Sequence, residues 1–144
     1  MDRDPLVTHF IPGPWAEPES HRAFVLARMQ ADYPDGLGYW SVFPCSDDQA
    51  FLGWILLLPY GDDEVEIGWR FVRRHWGKGY AGEAAAVILE HGFRTLGLER
   101  IVADIDPSNR ASRGVAEKLG MHCETEHVVD GVPALRYRMS NSAQ

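Results

Sequence analysis

Residues 73–85 read RRHWGKGYAGEAA: Arg73 and Arg74 lead into Gly77, Gly79 and Gly82, and an alanine-rich stretch follows at once. Such residues at the mouth of a helix can hold an anion. A helix start carries unpaired N–H groups and partial positive charge. Glycine removes the Cβ atoms that would keep a phosphate away from those amides, and it tolerates positive φ. The arginines add fixed charge beside them. The same residues also suit a plain tight turn with solvated arginines, so the segment alone leaves both readings open.

The elements on either side must place this turn. Before it, EVEIGWRFV alternates Val65, Ile67, Trp69 and Phe71 with Glu64, Glu66, Gly68 and Arg70. A period of two marks a strand with one buried face. After it, Ala81, Ala84, Ala85, Ile88, Leu89 and Leu96 recur at helical spacing, and Gly97 stands at the stop position. Upstream, residues 18–33 begin with proline and acidic residues, as a helix does. YWSVF and AFLGWILLLP read as strands. Downstream, RIVADID is a strand and PSNRASRGVAEKLG a helix, with Ala111, Val115 and Leu119 expected inward. HCETEHVV and VPALRYRMS flank Asp130-Gly131, a strong hairpin signal. The order predicts a single α+β domain over residues 1–144, not a repeated βαβ winding. Trp40, Trp54 and Trp69 lie on predicted strands and are expected in the core.

Composition narrows the partners. Lys and Arg total 14 against 21 Asp and Glu, a net charge of −7, which argues against nucleic acid as the partner. The longest apolar run is too short to cross a bilayer, so no membrane partner is expected. Cys45 and Cys123 lack metal-type spacing and the histidines show no ligand spacing. Free thiols, a cytoplasmic protein and no metal are the expectation.

GKGYAG also fits G-x-G-x-x-G, the dinucleotide fingerprint of NAD-dependent oxidoreductases. The context disagrees. The preceding strand alternates in polarity, whereas a central parallel strand is apolar throughout. At least two strands come before it, and the acidic residue about 20 positions on, Glu99, precedes the next strand instead of ending it.

Arg74, Gly77 and Gly79 match [Gln/Arg]-x-x-Gly-x-[Gly/Ala], and EIGWRFVRRHWGKGYAGEAA with LGLERIVADIDPSNRASRGVAEKLGM extends the match. Over about residues 35–139 the chain resembles the GNAT N-acetyltransferase superfamily, in the branch with the ribosomal-protein-alanine N-acetyltransferases. The resemblance implies a mixed, mostly antiparallel twisted sheet flanked by helices, ending in a C-terminal β-hairpin. It implies acetyl-CoA as co-substrate, its pyrophosphate on the amides of Trp76, Gly77, Lys78, Gly79, Tyr80 and Ala81, beside Arg73 and Arg74. Its pantetheine arm would lie between the strand ending at Phe71 and Val72 and the RIVADID strand. Asn109 would touch pantetheine and Ser112 the sulfur; a helix cap is the plainer role for Asn109.

The implied reaction is attack by a primary amine, on a small molecule or a protein N-terminus, upon a thioester. Glu66 is the expected base, acting through a water, with Asp104 and Asp106 as weaker options. Backbone N–H groups near Val72 would face the oxyanion. Many members carry a tyrosine acid on the second helix; this chain has Ala116 there, which leaves Ser112 as the acid. His9 and Trp15 would line the acceptor pocket. The family's first strand and the start of its first helix have no counterpart here. Upstream residues, or a second subunit in a homodimer, are therefore expected over the sheet edge. The rival from another class is an acyl-CoA-binding module without catalysis.

Overall fold

The computed structural model describes residues 1–142. A short helix α1 (Pro5–Thr8) and a longer α2 (Pro18–Gln30) lead into three antiparallel strands, β1 (Gly38–Val42), β2 (Gly53–Tyr60) and β3 (Glu64–Phe71). Helix α3 (Tyr80–Glu90), strand β4 (Arg100–Ile105), helix α4 (Arg110–Lys118) and the hairpin β5 (His122–Val129) and β6 (Val132–Ser140) follow. The sheet order is β1-β2-β3-β4-β6-β5, with β3 and β4 the one parallel pair. A doubly wound dinucleotide fold is therefore ruled out, because its central strands are parallel throughout.

Residues 55, 57, 67, 71, 101, 103, 105 and 137 turn one face of the sheet inward and are buried. Ala85, Ile88 and Leu89 of α3 and Ala116 of α4 close over them as one core. The small residues of α3 let it lie close to the strands, and it is prolonged by a π-helical turn, His91–Thr95, before Gly97 ends it at φ 67°. Asp130 and Gly131 both have positive φ, 50° and 78°, as the hairpin turn requires.

Several boundaries differ from the sequence expectation. α2 stops at Gln30, where Tyr33 folds back to donate its hydroxyl to the Arg28 carbonyl at 2.8 Å. None of its residues is buried. On α4 the buried residue is Ala116; Ala111 is exposed, because the helix starts at the Asn109 cap and this sets its phase. Trp40 pairs with Ile55 and packs on the core, and Trp69 does likewise. Trp54 pairs with Ser41 and Arg70 and so lies on the opposite face. Cys45 and Cys123 are exposed and unbridged. Among the described residues no helix is long and apolar enough to cross a membrane.

Candidate functional site

The glycine turn adopts the form its spacing asks for. After β3 a single 3-10 turn, Arg73–His75, leads to Gly77 at φ 73° and Gly79 at φ 82°. Gly79 is the N-cap of α3 and, lacking a side chain, offers no cap hydrogen bond. Glu83 donates its N–H back to the Gly79 carbonyl at 3.1 Å. The amides of the first turn, Tyr80 to Gly82, are thus left without intrahelical acceptors. A Cβ on Gly77, Gly79 or Gly82 would meet nothing within 4 Å. Open space therefore lies over the bare helix end, and the two positive-φ glycines answer to backbone conformation alone. Arg73, Arg74 and Lys78 are exposed around it. His75 is held below its ordinary pKa by lost solvation and by the charges of Arg74 and Lys78. Neutral, it accepts from Arg74 Nε at 3.2 Å. Arg73 is paired with Asp4 at 2.9 Å, tying the N-terminal segment to the loop.

Beside this turn the ladder is interrupted. Among the described residues β3 and β4 pair in register at Glu66 and Val102 alone. Which backbone groups face the gap follows from the ladders on either side. Val72 N–H donates to the Leu52 carbonyl at 2.9 Å, so the even-numbered residues of β3 bond to β2. The odd ones, Trp69 and Phe71, point their groups into the gap. Asn141 N–H on the Glu99 carbonyl, at 2.8 Å, likewise leaves Asp104 of β4 facing it. The Val72 N–H is therefore spent within the sheet; of the N–H groups near Val72 expected to face an oxyanion, those of Trp69 and Phe71 turn into the gap. The Phe71 carbonyl is taken by the Trp76 indole N–H at 2.9 Å.

Asn109 and Ser112 stand on α4 across the gap. The Asn109 side chain caps the helix, accepting from Ser112 N–H at 3.2 Å. Ser112 Oγ accepts from the Trp69 indole N–H at 3.3 Å, so its hydroxyl proton is left to donate elsewhere. Trp69 thereby packs on the core and also spans from β3 to α4, a link that the alternation of its strand does not reveal. Asn109→Ala is expected to cost about 1 kcal/mol of stability through the lost cap, read as a lowered denaturation midpoint.

Glu66 lies on the face away from α3. Its carboxylate has no hydrogen-bond or ion-pair partner among the described residues, yet it is half-buried. Burial, and then the negative charge of Asp104, push its pKa up to about 7. Asp104 is differently placed. Arg136 grips it from both sides, Nε to Oδ1 at 2.8 Å and an amino group to Oδ2 at 2.9 Å, and His127 reaches Oδ1 at 2.9 Å. Burial acts to raise its pKa, but the bonds from Arg136, Tyr60 and His127 outweigh this and leave it below the usual value. It stays ionised and is no proton acceptor at neutral pH. Asp106 is engaged in a turn, accepting from Ser108 N–H at 2.8 Å.

The same face is roofed by the N-terminal segment. Arg70, only 9% exposed, is paired with Asp2 at 3.1 Å and lies over the rings of Trp15 and Trp54. Asp2 also meets His21 at 3.2 Å. Trp15 donates its indole N–H to the Ile11 carbonyl, while His9 packs edge-on against Phe10. Glu66, Trp15 and Asp104 thus share the face of the sheet away from α3, whereas the glycine turn, Asn109 and Ser112 gather at the gap.

Comparison with known proteins agrees with this geometry. The family described as acetyltransferase (GNAT) domain matches residues 1–122. A crystal structure of a GNAT-family acetyltransferase from Bacillus anthracis superposes with a TM-score of 0.82 at 30% identity, covering 97% of this chain and 84% of that one. The Bacillus subtilis protein YkkB is 56% identical over 52 residues, which are 36% of this chain and 30% of that protein. The FsC-acetyl coenzyme A-N(2)-transacetylase of Aspergillus fumigatus is 30% identical over 137 residues, 87% of this chain and 57% of that protein. The matches therefore span less than two thirds of either relative. The alanine-modifying branch is one of several neighbours: the ribosomal-protein-S5-alanine acetyltransferase of Vibrio fischeri shares the fold, with a TM-score of 0.71 at 17% identity over 98% of this chain and 86% of that one. An uncapped helix start beside a split sheet, with the family match across most of the sequence, places this chain in the GNAT acetyltransferase-domain family.

Proposed function

We propose that the chain is an N-acetyltransferase domain that moves the acetyl group of acetyl-CoA directly to a primary amine, on a small molecule or a protein N-terminus, in the cytoplasm. The observation that carries this is the junction of three features: bare amides at the start of α3, unpaired strand groups in the β3–β4 gap, and an unpartnered half-buried Glu66. The residues present fit the donor. The first-turn amides and Arg74 suit a pyrophosphate, with Trp76, Gly77, Lys78 and Gly79 shaping the cradle. Trp69, Phe71, Val72 and Asp104 border a slot that an extended arm carrying amides can enter, and Asn109 and Ser112 stand at its far wall. When bound, the donor supplies an activated acyl group as a thioester.

The chain's own residues do the rest. Glu66, with its pKa near the working pH, takes the ammonium proton through a water; an α-amine, with a pKa of about 7.7–8.0, needs less help than a lysine side chain. One of the gap-facing amides, that of Trp69 or that of Phe71, meets the carbonyl oxygen; at about 6.7 Å apart along the strand the two cannot share it. The Ser112 hydroxyl, already accepting from Trp69, has a proton to offer a departing sulfur. A thiol of pKa about 8.5 leaves readily even without it.

Calorimetric titration of the purified protein with acetyl-CoA, with NADH as control, tests the donor assignment. Micromolar binding of acetyl-CoA alone is the expected result. Absence of acetyl-CoA binding, or equal binding of NADH, would overturn it.

A further inference from the structure

The surroundings of Glu66 contain a second arrangement that the reaction scheme does not use. Arg136 bridges two carboxylates, holding Asp104 through two bonds and Glu64 through a third at 2.6 Å. Arg138, one alternation along β6, binds Glu64 and Glu124, each at 3.0 Å. His127 of β5 and Tyr60 of β2 also bond Asp104. Asp104 is 10% exposed and Arg136 13%. The network therefore ties β2, β3, β4, β5 and β6 together on the face away from α3. Glu66 stands next to it and takes no part in it.

We propose that Asp104 is a positioning residue for Glu66: clamped by Arg136, it holds a fixed negative charge beside the base and keeps that base able to accept a proton. This rests on the reading of Glu66 as the base. The register explains the proximity. Glu66 faces Val102 across β3 and β4, and Asp104 is the next residue of β4 on the same face. Arg136 lies opposite Asp104 in the β4–β6 ladder. A carboxylate locked between two bonds of one guanidinium cannot turn away or pick up the amine's proton, so its charge is constant through the reaction. A like charge nearby disfavours ionisation of Glu66, and Arg136 limits the effect from the other side. The other groups toward Glu66 are Tyr60 of β2, Glu64 of its own strand, Arg138 of β6, and His127 and Glu124 of β5. Arg70, with its partner Asp2, lies four residues along β3. Of these, Glu64 is neutralised by its two arginines, and the Asp104–Arg136 pair is the one whose halves act on Glu66 with opposite sign.

The test is a pH titration of the Glu66 side-chain carbonyl by carbon NMR in the whole chain, for wild type, Asp104→Asn and Arg136→Gln. Asparagine keeps the shape of the aspartate and removes its charge. The Glu66 midpoint is expected to fall by roughly one unit in Asp104→Asn and to rise in Arg136→Gln. The acid limb of kcat/KM, measured with any accepted amine, should follow in the same directions. A purely structural role would weaken both variants without moving the midpoint. Unmoved midpoints in two folded variants, or shifts of the same sign, would overturn the proposal. The base reading fails separately, if Glu66→Gln retains full turnover.

Discussion

Glu66→Gln is expected to lower turnover by about 10²–10⁴-fold while leaving acetyl-CoA affinity unchanged. Glutamine preserves shape and removes the proton acceptor. Glu66 sits on the face away from the donor slot, which is why donor binding should be spared. For the wild type, activity should climb as pH passes about 7, because that is where Glu66 becomes ionised. Stability moves the other way. Folding raises the Glu66 pKa, so the contribution of its protonated form is full below the ordinary carboxylate range and is lost as pH rises through about 7. The glutamine variant has no such proton to lose. Its denaturation midpoint should gain on that of wild type at alkaline pH, which separates loss of a base from loss of the fold. Unchanged turnover in the variant would remove Glu66 from the reaction. Loss of turnover in a folded, donor-binding variant would also exclude a module that only binds acyl-CoA.

The second large effect belongs to Gly79. At φ 82° it holds a left-handed conformation as the cap of α3, and a Cβ there would touch nothing. The cost of alanine is thus conformational, about 1–2 kcal/mol. A loop that relaxes to negative φ would turn the first-turn amides away from a common point. Gly79→Ala should weaken acetyl-CoA binding by about 5–30-fold by calorimetry, the equivalent of that energy. Asparagine, which enters this region more readily, should lose less than alanine. Affinity equal to wild type in the alanine variant would mean that the anion binds elsewhere.

Much of this site was legible because its chemistry is local. Gly77 and Gly79 need positive φ whatever surrounds them, and Asp130-Gly131 makes its turn from its own two residues. The hidden parts depend on which neighbour a strand faces. Which of the amides near Val72 face the gap follows only from the β2–β3 register, which gives that of Val72 itself to Leu52. Trp40 and Trp54 look alike in sequence, yet the pairing of Trp40 with Ile55 places them on opposite faces. The helical spacing of Ala111, Val115 and Leu119 predicted an inward stripe. The phase set by the Asn109 cap leaves Ala111 exposed and buries Ala116, while Leu119 packs against the core as expected. Glu66 reads as a solvated strand residue unless the distant β6 arginine and β4 aspartate are known to stand beside it, because neither is near in sequence.

The single register pair between β3 and β4 has a mechanical consequence. The sheet is two three-stranded leaves, β1-β2-β3 and β4-β6-β5, joined in register at Glu66 and Val102 and backed by a common helical layer. Each leaf has an inner margin along which the β3–β4 ladder is not continued, with the Phe71 carbonyl turned to the Trp76 indole. An extended ligand with its own amides would act as a strand inserted between the leaves, fastening one to the other. A donor bound there would do more than fill a groove: it would finish the sheet. Protection from hydrogen exchange gained on binding would therefore concentrate along the two inner margins, at Trp69, Phe71 and Asp104, far more than at the outer strands.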